Sequence, residues 1–571
     1  MQPGPRNRIR FFVPLLVVLA LALVPLFRDL GGPPLWEDEG DTAAFAQRIV
    51  ETGLPTAWDG RAFLDSDYGY RIAPHLLGHD FVMVGTPWLP FYVTAGSFAL
   101  LGESNRAARL PFALASLATL ALLYLWVARV TGCSRAAFAA ALPLLANAQF
   151  LLYARECRSY APNMLLTTAV LAGFSQLGAR KRSALLVVAA ILLFHVQILP
   201  VAIAVATCGA LALLHPRFRP RLPALLWRAP VVMALTLPWL ALGWNAVQTN
   251  WRPLESPAEL PLRALQLAAE SMVAVPWLAW AIAIPWLWRR FRGGDREVLA
   301  LGLGYVALLF ALTPLALTDT LVLVTGLRYV CGLLPVAAAV TGLVVARASD
   351  GRPALYAGLI AVFAATNLAG NALPWLAIGE SRRVGPIFVA APRDPLEKVA
   401  NMGLVHFVRG LGQPNPGTLQ PIVDFIETRV PPEDVIVTNF AWDNLSFYTR
   451  RRLGFRISPE AVAVRDAARA AGLPDYVFGF DDARWLVWRH AADPLPETTT
   501  FEKARAALEA RGARVERVAS FREVLWENRP ELTWHRFPRV GYPFAPRRLG
   551  AEGRKWPDAV IYRVVWPGDP P

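Results

Sequence analysis

The chain has 571 residues, 55% hydrophobic and 18% charged, with a mean hydropathy of +0.37, a net charge of +14 and a pI near 10.0. Ordinary soluble domains are about 25% charged, so this composition excludes a disordered chain and a small disulfide scaffold, and the long apolar runs argue against a wholly soluble enzyme. A surplus of arginine in so apolar a chain points to cytoplasmic loops and anionic head groups, not to nucleic acid.

Met1–Arg10 is basic and Phe11–Phe27 is apolar. That run is long for the core of a cleaved signal, and no small-x-small site follows it. It reads as an uncleaved first helix with a cytoplasmic N-terminus. Further apolar spans lie near 110–128, 136–152, 162–178, 184–199, 200–214, 230–247, 264–288, 297–314, 331–346 and 354–375. Basic clusters follow every second span: Arg129 with Arg135, then 180–182, 217–221, 289–292 and 347–352. The positive-inside rule puts them all in the cytoplasm. The expected fold is a polytopic α-helical membrane protein of about 11 transmembrane helices with a large first outer loop, residues 28–109. Within that loop Pro87–Gly102 is apolar, but it is short and holds two early prolines. It reads as an interfacial or re-entrant helix.

From Gly379 charges of both signs rise and long apolar runs stop. Glu433–Asn439 reads as a turn and a strand, Asn444–Arg451 as a helix, Trp485–Trp488 as a strand and Glu502–Arg511 as an amphipathic helix. The division expected is therefore a membrane domain over 1–378 and a C-terminal α/β extracytoplasmic domain over 379–571. The last thirty or so residues, rich in Pro, Arg and aromatics, read as extended.

The first outer loop is the richest in chemistry. Glu37, Asp38, Glu39 and Asp41 put four carboxylates in five positions. Such a cluster either repels itself, raising one member's pKa or holding a cation, or caps the following helix as a solvated acidic turn. A second stretch, Tyr153 to Tyr160, carries Arg155, Glu156 and Arg158 at the outer end of a span. Arg328-Tyr329 opens a later span from the same side. Arginines outside run against the charge bias, and an anionic partner such as a phosphate explains them; snorkelling pairs are the alternative. His75, His79 and Asp80 have a spacing that suits a metal if that segment is helical. His195 and Gln197 read as an interior hydrogen-bonded pair. The four cysteines, Cys133, Cys157, Cys208 and Cys331, form no CxxC or CxxH pattern. Walker, dinucleotide-binding, GxSxG and cysteine-protease motifs are missing from the sequence.

Taken in order, these pieces resemble the bacterial GT-C glycosyltransferases, the protein O-mannosyltransferase and lipid A aminoarabinose transferase group. Asp38-Glu39 followed by AFAQRIVETG resembles the family's DE loop. Thr86 to Tyr92 resembles its Pro-Pro-Leu-Tyr segment, and Gly102 to Pro111 its GES..AARLP helix start. Tyr153 to Tyr160 resembles its second outer loop, and Arg328-Tyr329 with Pro335 its late Arg-Tyr motif. The resemblance covers residues 10–375. It implies a polyprenyl-phosphate sugar as donor, an envelope lipid, glycan or protein as acceptor, and inversion at the anomeric carbon, on the outer face of the bacterial cytoplasmic membrane. Asp38 and Glu39 are then the catalytic candidates. Arg155, Arg158, Arg328 and Tyr329 are candidates for the donor phosphate, and Glu37, Glu156, Tyr160 and His79 for the acceptor or for support. No cofactor is fixed, and a divalent cation is left open. Gly85-Thr86 stands where aminoarabinose transferases carry Glu-Lys, and Glu156 where their loop usually offers Asp, so the sugar is left open too. A lipid-linked sugar transporter would need polar residues at mid-span, of which His195 is the main example. A non-enzymatic envelope-assembly protein would need no acidic and basic constellation on one face.

The topology is directly checkable. Reporter fusions after Gly60 and after Gly379 should both read as extracytoplasmic, and a cytoplasmic signal from either would overturn it.

Overall fold

The computed structural model describes residues 5–62, 81–177, 180–244, 275–316, 326–369, 382–384, 387–389, 419–439, 442–454, 483–489, 501–521 and 559–569, with a few isolated positions between them. Helix α1 (Pro5–Phe27) leads to α2 (Glu37–Thr52), α3 (Leu89–Leu101) and α4 (Asn105–Thr131). Next come α5 (Ser134–Leu145), α6 (Ala148–Tyr153), α7 (Tyr160–Ser175), α8 (Arg180–Val196), α9 (Ile198–Leu214) and α10 (Leu222–Leu242). They are followed by α11 (Trp277–Leu287), α12 (Gly293–Ala316), α13 (Leu333–Ala348) and α14 (Pro353–Ala369).

Among the described residues, 3 helical stretches are long and apolar enough to cross a bilayer: Asn105–Thr131, Arg219–Leu242 and Gly293–Ala316. Shorter apolar helices of 10–17 residues accompany them. Large apolar side chains stand bare on several helices, Trp227 at 83% and Leu278 at 80% exposed, as on a surface that meets lipid. The stretch 136–152, expected as one span, is two helices. Pro143 lies near the end of α5, and the Asn147 side chain accepts from the Phe150 N–H at 3.0 Å to start α6. Helix α3 has 13 residues, about 20 Å of rise against a hydrocarbon core of about 30 Å. It packs along α2, with the Phe45 and Phe91 rings 5.1 Å apart.

Alternating helices sort the charges to two poles. At one, Arg347 holds Asp295 bidentately at 2.8 and 3.0 Å, and Arg221 reaches Glu297 at 2.9 Å. Arg217 joins Glu297, and Arg135 lies over the Tyr356 ring. Arg135, Arg217, Arg221 and Arg347, which follow different apolar stretches, thus lie at one pole. The acidic turn, the 154–159 loop and Arg328 meet at the other pole. Gly342 lets α13 close on α5; a Cβ there would stand 2.5 Å from the Ala140 backbone N.

After α14 come a short antiparallel pair, β1 (Arg382–Val384) and β2 (Ile387–Val389), then α15 (Leu419–Arg429), β3 (Val435–Thr438), α16 (Trp442–Thr449) and β4 (Arg452–Gly454). The chain continues with β5 (Ala483–Arg489), α17 (Phe501–Glu509), β6 (Arg514–Phe521) and β7 (Ala559–Val565). A 5-stranded mixed sheet has the order β4-β3-β5-β7-β6. Strands β3–β4 and β3–β5 pair in parallel, while β7 runs antiparallel to both β5 and β6. The four elements expected in this region are all present, with α16 beginning two residues earlier than read. The tail does more than lie extended: β7 is an interior strand whose apolar residues are buried.

Candidate active site

The site is built on one arginine. Arg109, in the second turn of α4, donates from Nη1 to Leu30 O at 3.3 Å and Pro33 O at 2.7 Å, and from Nη2 to Pro34 O at 2.9 Å. Its Nε and Nη2 hold Glu39 Oε1 and Oε2 at 2.8 and 2.5 Å. These bonds match the five N–H donors of a guanidinium. Glu39 also accepts from the Cys157 N–H at 2.9 Å and the Trp36 N–H at 3.3 Å, the latter closing the first turn of α2. The Arg109 and Glu39 side chains are 1% and 0% exposed. The pair therefore ties α2, α4, the 30–36 loop and the 154–159 loop at one point. Glu39, a catalytic candidate by sequence, is walled in and saturated; it touches nothing a substrate can reach.

One residue earlier the helix turns its side chain the other way. Asp38 Oδ2 lies 3.8 Å from Arg158 Nη2 and 3.7 Å from Arg328 Nη1, with all three side chains 22–23% exposed. Arg158 Nη1 also donates to Asp41 Oδ2 at 2.9 Å, Asp38 O at 3.0 Å and Thr42 Oγ1 at 3.1 Å. Burial works against the Arg158 charge, but Asp38 and Asp41 outweigh it and hold the guanidinium above its ordinary pKa. Asp41, expected to press on Asp38 as a like charge, is itself paired to Arg158. Arg328 Nη2 donates to the Tyr329 hydroxyl at 2.7 Å, and the Arg328 guanidinium lies over that ring.

The remaining candidates separate. Arg155 turns away and donates to Arg28 O at 2.8 Å. Burial, then the charge of Arg109, lowers its pKa to about 10, so it stays cationic near neutrality. Glu156 is fully buried. Tyr160 is buried with its ring 4.7 Å from that of Tyr153. Burial pushes the Cys157 thiol up, which keeps it protonated. The side chain of Glu37 and all of His75, His79 and Asp80 lie outside the described residues. Among the described residues no three of His, Cys, Asp or Glu gather where one metal ion would sit.

The sequence does not single out Arg109 among the arginines near the head of α4. Its signal was there: in RAARLPFALASL the second Arg, three residues past Arg106 and followed by an apolar run, demands a partner. Asn444 and Tyr448 of α16 were also missed. They bond Leu35 from 409 and 413 positions away, a contact no local pattern encodes.

No protein-family profile and no curated protein matches the chain. Solved structures do. ArnT from Cupriavidus metallidurans, bound to undecaprenyl phosphate, superposes with a TM-score of 0.58 at 15% identity, over 96% of this chain and 97% of that one. The chain has the GT-C membrane fold. The apo state of the same ArnT gives the same figures. Mycobacterial arabinofuranosyltransferase AftD follows with a TM-score of 0.48 at 18% identity, over 97% of this chain and 40% of that one. At such identities the likeness is one of fold. Within this GT-C fold, the pole that holds the acidic turn presents a carboxylate between two guanidinium groups, all three partly open to solvent.

The buried pair sets a stability test. Arg109→Ala leaves the Glu39 carboxylate without its counter-ion in a site closed to water, at a cost of about 3–5 kcal/mol. The melting midpoint in detergent should fall sharply. Asp38→Asn, at an exposed pair, should move it little.

Proposed function

We propose that the chain is a membrane glycosyltransferase that moves a sugar from a polyprenyl-phosphate donor to an envelope acceptor, with inversion, on the outer face of the bacterial cytoplasmic membrane. The proposed division is 1–378 for the membrane domain and 379–571 for the outer domain. The observation that carries the reading is Asp38 standing between Arg158 and Arg328. An undecaprenyl phosphate ligand in the ArnT structure of the same fold supports the donor class.

In this reading the donor phosphate enters between Arg158 and Arg328 and competes with Asp38 for them. The freed carboxylate regains proton affinity as its cations turn to the phosphate. An acceptor hydroxyl or amine then attacks the anomeric carbon. Its O–H or N–H proton passes to Asp38, a new glycosidic bond forms, and the anomeric C–O bond to phosphate breaks. The electron pair leaves with the lipid phosphate, whose growing charge the two arginines offset. Tyr329 steadies Arg328. Arg155, held by Arg28 O, adds positive charge near the pole, while Glu39 fixes the turn that carries Asp38.

Purified protein in detergent, labelled undecaprenyl-phosphate-linked hexose and pentose, and an envelope extract make the assay. The wild type should transfer label. Asp38→Asn keeps the shape of the side chain, so it should still bind donor while turnover falls by at least about a hundredfold. Normal turnover would reduce the acidic turn to a helix cap. Arg328→Ala should raise the KM for the lipid donor by about tenfold or more, the worth of one charge-assisted hydrogen bond. An unchanged KM with full activity would remove Arg328 from the phosphate site.

A further inference from the structure

The acidic turn is held from outside the membrane bundle as well as from within. Asn444 Nδ2 of α16 donates to Leu35 O at 2.7 Å, and the Leu35 N–H donates to the Tyr448 hydroxyl at 2.8 Å. One helix thus takes both backbone polar groups of a residue three positions before Asp38. The Tyr448 hydroxyl gives its own proton to Asn105 Oδ1 at 2.6 Å. Asn105 Nδ2 in turn lies 3.3 Å from the carbonyls of Gly31 and Pro33. Pro33 is also one of the carbonyls that Arg109 grips. Burial pushes the Tyr448 phenol above its ordinary pKa, so it remains a donor at neutral pH. Asn444 is 1% exposed, and a Cβ on Gly40 would stand 2.3 Å from its Nδ2, so any other residue at 40 would displace the amide.

Other contacts dock the same segment without touching residues 30–41. The Phe98 and Phe447 rings stack at 5.8 Å. Arg450 reaches Glu51 at 3.0 Å and Glu103 at 2.8 Å, and the Leu453 N–H donates to Arg61 O at 3.2 Å. Docking and clamping are therefore separable in the side chains that perform them.

We infer that Tyr448 and Asn444 are positioning residues that fix the Leu35–Asp38 turn, so that the C-terminal sheet region completes the active site. The catalytic half of this inference rests on Asp38 being the base; the structural half does not. A residue held at both its N–H and its C=O has both flanking peptides tied, and neither can rotate without breaking a hydrogen bond, one buried and one partly buried. Three residues on, even a small rotation moves a carboxylate away from the acceptor proton.

The test pairs hydrogen–deuterium exchange with kinetics on the full-length protein. Tyr448→Phe keeps the ring and removes the hydroxyl, and Asn444→Ala removes the other bond. Arg450→Ala weakens docking only. Tyr448→Phe should raise amide exchange in the peptide covering residues 30–41 and lower kcat about tenfold, as slight misplacement of a catalytic group does. The KM for the labelled undecaprenyl-phosphate sugar should stay within about twofold. Arg450→Ala should leave exchange in that peptide and kcat unchanged. Asn444→Ala should repeat the Tyr448→Phe pattern, and it carries the test if Tyr448→Phe does not fold. Unchanged exchange in both clamp variants, or equal loss in Arg450→Ala, would overturn the clamp. Raised exchange with unchanged kcat would overturn its catalytic role. If Asp38→Asn is fully active, the base assignment fails by itself, and the exchange data still decide whether the clamp exists.

Discussion

The candidate site depends on one buried ion pair. Arg109 and Glu39 are almost wholly cut off from water, where an unpaired charge would cost several kcal/mol. The cost is met by completeness. Every guanidinium donor has an acceptor, and both carboxylate oxygens have at least two donors. A network filled to that degree has one geometry, and it specifies more than it stabilises. Because the acceptors include carbonyls of Leu30, Pro33 and Pro34, the path of the loop out of α1 is set by the head of α4. The direction of Asp38 follows from that path, because it is the residue just before the locked Glu39 on the same helix.

The two acids of the DE pair therefore divide the labour by helix geometry alone. Successive residues of a helix point about 100° apart. One member of an adjacent pair at a buried corner must turn inward and the other outward. The inward member is neutralised by a fixed partner. The outward member keeps partly exposed partners at 3.7 and 3.8 Å, longer than a hydrogen bond and open to exchange.

Much of this was legible in the sequence, and the reasons are physical. Hydropathy and arginine spacing report solvent class, so many of the helices, and the short helix within Pro87–Gly102, could be read locally. The strand and helix of Val435–Thr438 and Phe501–Glu509 were legible because periodicity and turn residues act over a few positions. The family resemblance grouped Arg155, Arg158 and Arg328 as phosphate candidates and Asp38 as a catalytic one; of the three arginines, Arg158 and Arg328 stand beside Asp38. Three things were hidden. The break at Asn147 depends on a cap forming inside an apolar run. Arg155 and Glu39 look like site residues by type, yet tertiary packing turns both away from solvent. The bonds from Asn444 and Tyr448 cross some four hundred residues, and the interior position of β7 depends on partners far back in the chain.

The pairing of Asp38 with the two arginines has a consequence for turnover on the proposed reading. A lipid phosphate leaving group is a monoester, more negatively charged than the sugar-bearing diester it came from. A cradle of two arginines therefore holds the product more tightly than the substrate. Left alone, such a cradle would inhibit itself. Asp38 is a rival anion tethered to the same cradle, and tethering gives it an effective concentration on the order of millimolar or above. The spent lipid leaves by exchange with Asp38, so the arginines are never stripped bare at a poorly solvated surface. On that reading, the carboxylate proposed to take a proton in one half of the cycle would serve, once it has lost that proton, as the ejector in the other.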